Sequence, residues 1–229
     1  MYKKILIFVF ISISAFAKEP LRVAVLDSGL DLKDERFQSV LCKEGHKDFT
    51  GTGIEDTNGH GTHIAGLIKQ YAKDASYCLV IVKYFDDKLT TSKERTDAYK
   101  NSLDYLAKNP PDLLNVSGGG KEGMESEYLF FKNIAYTAFV AIGNDNTDLN
   151  KSCNYYPACY KKYESLPYIH AVGSECNHIK SSFSNYGEFI TDWECGEAVL
   201  STAIKGMDRM SGTSQATAIA TGKYLYKYK

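Results

Sequence analysis

Three short segments of the chain carry side chains whose types and order could do chemistry. In Val23-Ala24-Val25-Leu26-Asp27-Ser28-Gly29 a carboxylate directly follows an apolar run, and Gly29 permits a sharp exit turn. Buried there, Asp27 could orient an imidazole. In Asn58-Gly59-His60-Gly61-Thr62-His63-Ile64-Ala65-Gly66 two histidines three apart stand among glycines at the start of a helical stretch. In Met210-Ser211-Gly212-Thr213-Ser214-Gln215-Ala216-Thr217-Ala218 small residues lead into a serine that opens a helix, whose first N–H groups would face negative charge developing beside the hydroxyl. Alone, each segment has a plainer reading: Asp27 as a turn or cap residue, Ser214 as a helix cap, the histidines as metal ligands. The histidines share a helix face at i and i+3, but they lack the i, i+4 spacing with an intervening Glu that a zinc protease helix uses. Together the three segments supply a carboxylate, an imidazole and a hydroxyl, the set that nucleophilic acyl transfer requires.

Elements must bring these groups into one place. Short apolar runs alternate with amphipathic stretches, a pattern that predicts parallel strands joined by crossover helices, an α/β fold. Strands are expected at Leu21 to Leu26, Leu79 to Val82, Leu113 to Val116, Ala138 to Ile142 and Ile169 to Val172. Helices are expected at Ile64 to Tyr71, Ser92 to Lys108 (ended by Asn109-Pro110-Pro111), Glu125 to Ala135, and from about Thr213 onward. Asn144 to Pro167, rich in Asn, Asp, Tyr and Pro, predicts a long ordered loop. Each chemical segment then falls at the C-terminal end of a strand or the start of a helix, where open α/β sheets build their sites.

With the order Asp, His, Ser, the chain resembles the subtilisin-like serine peptidases, family S8. Their Asp-Ser/Thr-Gly, His-Gly-Thr-His and Gly-Thr-Ser segments match Asp27 to Gly29, His60 to His63 and Gly212 to Ser214. Between these, Asn115-Val116-Ser117-Gly118-Gly119 looks like the family's substrate-binding edge, and Phe139-Val140-Ala141-Ile142-Gly143-Asn144 like the strand that ends in its oxyanion-hole asparagine. The resemblance runs from about Leu21 to the last helix. It implies a three-layer fold with a mostly parallel central sheet, and a serine endopeptidase that acts on polypeptides without a cofactor. It makes Ser214 the nucleophile, His60 the general base and Asp27 its orienter, with Asn144 stabilising the oxyanion. Ser117, Gly118, Gly119 and Gly143 would contact substrate, and His63 would keep a structural role.

Composition narrows the setting. The 229 residues, 44% hydrophobic and 24% charged, suit one globular domain. Residues 1–17 read as an export signal: Lys3 and Lys4, then an apolar run from Ile5 to Ser14, then Ala15-Phe16-Ala17 as a small-x-small cleavage site. The run is too short for a membrane anchor. The peptidase domain is therefore expected over 18–229, exported to a periplasm or secreted, and monomeric. Setting Lys3 and Lys4 aside from the 27 basic residues leaves 25 against 28 acidic ones, with no basic block, so neither nucleic acid nor a membrane is implied as a partner. All six cysteines lie in the exported part, which suggests disulfides. Fifteen pairings are possible. Local spacing favours Cys153 with Cys159, which leaves Cys42 with Cys78 and Cys176 with Cys195. A metal site is disfavoured, because no second matching C-x-x-C pair appears.

The chain also departs from the family. The proline and histidine that usually follow Gly-Thr-Ser are replaced after Thr217 by Ala218 and Ile219. Only a few residues separate the cleavage site from the first strand, which leaves no room there for a pro-region. The segment from Ile64 to Leu79 looks too short for the family's strongest calcium loop, so no metal is expected. Asp145, next to Asn144, points to a basic residue before the scissile bond, whereas Tyr155 would narrow the pocket base; plain loop packing explains both equally. Two further readings stay open: a catalytically silent binding module of the same fold, and a disulfide-rich structural protein of the envelope.

Overall fold

The computed structural model describes residues 19–228; the predicted export signal over 1–17 lies outside the described residues. The chain builds β1 (Leu21–Asp27), a 3-10 turn (Glu35–Val40), β2 (Lys47–Asp48), α1 (His60–Ala72), β3 (Tyr77–Lys83), α2 (Ser92–Lys108), β4 (Leu113–Val116), α3 (Glu125–Asn133) and β5 (Thr137–Ala141). It continues with α4 (Tyr160–Tyr163), β6 (Ile169–Cys176), β7 (Ile179–Lys180), β8 (Asp192–Glu194), β9 (Val199–Ala203), β10 (Gly206–Met210) and α5 (Thr213–Lys227). The main sheet runs β2-β3-β1-β4-β5-β6-β7, with β8 also paired to β6. Every pairing in it is parallel except β6 with β7.

The period-2 alternation of the strands sends side chains to two separate cores. Val23, Val25, Ile81, Leu113 and Phe139 pack with α1 and α5 residues such as Ile64, Ile68 and Ile219. Ala24, Leu26, Val80, Val82, Leu114, Val116 and Val140 pack on the other face with Leu103, Leu106, Phe130 and Phe131 of α2 and α3. The result is three layers, as expected.

The crossover from β1 to β3 uses α1 on one face, and the return from β3 to β4 uses α2 on the other. The strand order therefore reverses around β1, and a crevice opens beyond its carboxyl end, between β1 and β4. Asp27 closes β1, and Ser117 follows β4 one residue past the Leu26–Val116 register pair.

The structure adds elements that periodicity does not reveal: the short strands β2, β7 and β8, helix α4 inside the expected loop, and the antiparallel hairpin β9–β10. Helix α1 also starts four residues earlier than expected, at His60 itself. The disulfides join Cys42 to Cys78, Cys153 to Cys159 and Cys176 to Cys195, the pairing that spacing favoured. No helix among the described residues is long and apolar enough to cross a membrane.

Candidate active site

Asp27 leaves β1 buried, and its Oδ1 accepts from the Ser28 amide at 2.8 Å and from His60 Nδ1 at 2.8 Å. A proton on Nδ1 is what that contact requires, which leaves Nε2 as the basic nitrogen. Burial alone would lower the pKa of His60. The Asp27 carboxylate, with help from Asp56, outweighs it and holds the imidazole above its ordinary value.

His60 occupies this place because the first turn of α1 comes very close to the exit turn of β1. A Cβ on Gly61 would stand 2.3 Å from the Gly29 carbonyl oxygen and 3.2 Å from Asp27 Oδ1, so only glycine fits between the histidine and the next residue. Asp56 caps the helix from four residues upstream. Its carboxylate accepts from the amides of Asn58, Gly59 and Thr62 and from the hydroxyls of Thr62 and Ser28. Burial raises the pKa of this carboxyl, but its hydrogen bonds win and hold it below the ordinary value.

A second brace lies beneath the same loop. Fully buried Lys83, which ends β3 opposite Asp27, pairs with Asp86 at 2.7 Å and donates to the Glu55 carbonyl at 2.7 Å. Asp86 in turn accepts from the hydroxyls of Thr52 and Thr57. Neither Asp56 nor Lys83 stands out in the sequence as a site residue. For Asp56 a signal is present, since an Asp a few residues ahead of a helix is a capping residue; for Lys83 there is none, because its partners are set by the tertiary fold.

His63 is fully buried, with Nε2 against the carbonyls of Val199 and Asp208 at 3.1 and 3.3 Å. The hydroxyls of Ser201 and Thr202 return hydrogen bonds to the His63 and Thr62 carbonyls. His63 thus fastens the β9–β10 hairpin to α1, away from Asp27.

Ser214 is the second residue of α5, and its hydroxyl sits against β4. Among the described residues, Ser214 Oγ donates to the Ser117 carbonyl at 2.7 Å rather than to the His60 ring, and Ser117 Oγ donates to the Ser214 carbonyl at 2.9 Å. The imidazole and the hydroxyl are therefore held by the carboxyl ends of two neighbouring strands, about 5 Å apart in the sheet.

Beyond β5, Asn144 Oδ1 accepts from the Thr213 amide at 2.8 Å, and the Gly143 amide donates to Thr213 Oγ1 at 3.2 Å. Because the Thr213 N–H can only donate, the Asn144 side chain must turn its oxygen to α5 and its Nδ2 donors outward. A Cβ on Gly212 would lie 2.8 Å from Gln215 Oε1, 3.3 Å from Asn144 Nδ2 and 3.7 Å from Ser214 N, so the Asn144 and Ser214 donors both lie near the start of α5, with the Gln215 amide oxygen beside them. Gly118 and Gly119 continue the β4 edge past Ser117. Among the described residues, no group of three or more His, Cys, Asp or Glu side chains is placed to hold a metal ion.

Comparison with known proteins points the same way. The subtilase family model, Peptidase_S8, matches residues 19–226. An alkaline proteinase of Hapsidospora chrysogena is 33% identical over 206 residues, covering 80% of this chain and 48% of that protein. An extracellular serine proteinase of Thermus sp. (strain Rt41A) is 30% identical over 207 residues, covering 86% and 48%. The chain thus spans about half the length of the curated relatives it matches. Among solved structures, a cold-adapted subtilisin-like serine proteinase superposes with a TM-score of 0.73 at 27% identity, over 90% of this chain and 74% of that one. A lanthipeptide protease superposes with a TM-score of 0.74 at 21% identity, over 90% and 72%, a likeness of fold.

Proposed function

The chain belongs to the subtilase family, and from that premise we propose that it is a serine endopeptidase in which Ser214, His60 and Asp27 cleave peptide bonds through an acyl-enzyme. The observation that carries this reading is the 2.8 Å contact between Asp27 and His60 Nδ1 at the end of β1, beside the strand end that holds Ser214.

His60 Nε2 takes the proton of Ser214 Oγ as that oxygen bonds to the peptide carbonyl carbon. The carbonyl oxygen, now negative, is held by Asn144 Nδ2 and Ser214 N, with the N-terminus of α5 behind them. The C–N bond then breaks, and the proton on Nε2 leaves with the amine. Water, deprotonated by the same nitrogen, hydrolyses the ester and restores the hydroxyl. Ser117, Gly118, Gly119 and Gly143 form the edges along which the peptide lies.

One observation favours a second reading, a silent binding module of the same fold: the Ser214 hydroxyl donates to Ser117 and not to His60. On the active reading that hydroxyl turns to His60 when substrate binds, since catalytic hydrogen bonds are often loose before substrate arrives. The protein then acts on polypeptides as a monomer outside the cytoplasm, and its three disulfides and its extracellular relative support the export.

A fluorophosphonate probe followed by peptide mass mapping separates the two readings. The active enzyme is expected to be labelled at Ser214 within minutes, and His60→Ala to lose that labelling. A folded wild type that stays unlabelled would establish the silent module.

A further inference from the structure

Resting on the peptidase reading, a residue between the two walls of the cleft says which peptides the site takes. Ser214 stands at the mouth of a gap between the Ser117–Gly119 edge and the Gly143–Asn144 turn. A peptide whose carbonyl carbon meets Ser214 Oγ, with its oxygen towards Asn144 Nδ2, sends the side chain of that residue into this gap.

The gap is already filled by Tyr155. A Cβ on Gly119 would fall 2.6 Å from Tyr155 Cε1, and a Cβ on Gly143 would fall 2.6 Å from its Cδ2, so one aromatic ring touches both walls. At Gly143 a positive φ of 93° adds a second reason for glycine. Tyr155 belongs to neither apolar core, and it is only half-buried.

Its backbone is held from several sides. The Cys153–Cys159 disulfide closes the segment, and Tyr155 and Cys159 exchange contacts through Tyr155 N to Cys159 Sγ and Cys159 N to the Tyr155 carbonyl. The next residue, Tyr156, pairs antiparallel with Gly120 through hydrogen bonds of 2.8 and 3.0 Å. Moving the backbone that carries the ring would therefore break an established set of contacts.

Across the mouth, Lys121 and Asp145 come within 3.4 Å, one from each wall. Asp145 thus already has a cationic neighbour at the mouth, an exposed pair that weakens its pull on a basic residue in the gap. Burial and the Asp145 carboxylate push the Tyr155 phenol up to about 12, so the group filling the gap is neutral. The cleft is not narrow everywhere: the other side of Gly119 borders a cavity of about 350 Å³ lined by Tyr84, Tyr99, Met124 and Glu127, among others.

We propose that Tyr155 sets the specificity of the cleft, restricting the residue before the scissile bond to Gly, Ala or Ser. The test uses the purified protein and the p-nitroanilides of Ala-Ala-Ala-Xaa, with Xaa Gly, Ala, Phe or Arg. Wild type is expected to show a kcat/KM for Ala about 100-fold above those for Phe and Arg, the scale on which a pocket rejects oversized groups. Tyr155→Ala is expected to raise the Phe value by about 30-fold or more while the Ala value stays within about threefold. Tyr155→Phe is expected to keep the wild-type order, because the ring and not the hydroxyl does the excluding.

Fluorophosphonate labelling of Ser214, run on each protein, keeps the two levels apart. Labelled wild type that cleaves the Phe and Ala substrates equally overturns the role of Tyr155 and leaves the peptidase reading standing. A labelled Tyr155→Ala protein that keeps the wild-type order overturns that role too. Folded wild type that neither labels nor cleaves fails at the underlying reading. Should Tyr155→Ala not fold, the wild-type and Tyr155→Phe profiles decide alone.

Discussion

His60 is pulled two ways, by burial that disfavours its charge and by Asp27 that favours it, and the carboxylate prevails. In the proposed mechanism His60 must be neutral to act as general base, so kcat/KM is expected to rise with pH through a midpoint above the ordinary imidazole value of 6.5. Stability should move oppositely. The folded value lies above the unfolded one, so the stabilisation from the charged pair is complete below about pH 6.5 and is lost as pH climbs through the folded value. Asp27→Asn is expected to lower the activity midpoint and cut kcat about 10⁴-fold, since the imidazole loses both its tautomer and its counter-charge. A pH–rate profile of the two proteins checks both statements; a wild-type rate that is flat from pH 5 to 9 would contradict them. Asn144→Ala is expected to reduce kcat about 10²- to 10³-fold with KM little changed, because the donor acts on charge that exists only in the transition state.

At the scale of elements, the position of His60 depends on how α1 begins. Asp56 satisfies the Gly59 and Thr62 amides and ties them to Ser28 beside Asp27. Asp56→Ala is expected to cost about 1–3 kcal/mol in urea unfolding and also to lower kcat, as the helix start shifts against β1. Unchanged kcat in the destabilised variant would show that the cap serves the fold alone.

The strand-helix alternation from Leu21 to Ile142 is readable because apolar runs and capping signals reinforce one another: Ser92–Lys108 and Leu113–Val116 fall where the sequence places them. The β9–β10 hairpin is not. Its apolar residues, Val199, Leu200, Ala203, Met207 and Met210, are broken up by Ser201, Thr202, Asp208 and Arg209, and its position is fixed by long-range bonds to His63 and Thr62 that no local pattern encodes. The site is legible in the same uneven way. The segments around Asp27, His60 and Ser214 announce themselves and Tyr155 can be named as a bulky residue that would narrow the pocket, whereas the buried Lys83–Asp86 pair and the place of that ring between two glycine walls become visible only once the sheet is assembled.

For the whole molecule, the disulfides link segments 36, 6 and 19 residues apart. Chain-entropy arguments give each a few kcal/mol and rank Cys42–Cys78 first. The Cys42→Ser, Cys78→Ser double variant is therefore expected to lose about 2–4 kcal/mol, and more than the Cys153→Ser, Cys159→Ser variant, in urea unfolding. The reverse order would mean that the short loop contributes through native packing around Tyr155.

The sheet places the carboxyl ends of β1 and β4 side by side, with the Asp27–His60 pair at one and the Ser214 hydroxyl at the other, and the proposed mechanism depends on that adjacency. The most direct test is the hydrolysis rate of unfolded casein by wild type and by Ser214→Ala, each checked for native folding by circular dichroism. The wild type is expected to cleave casein, and Ser214→Ala to be slower by about 10⁶-fold. A folded wild type that leaves casein intact, or a Ser214→Ala protein that digests it at the wild-type rate, would contradict the account.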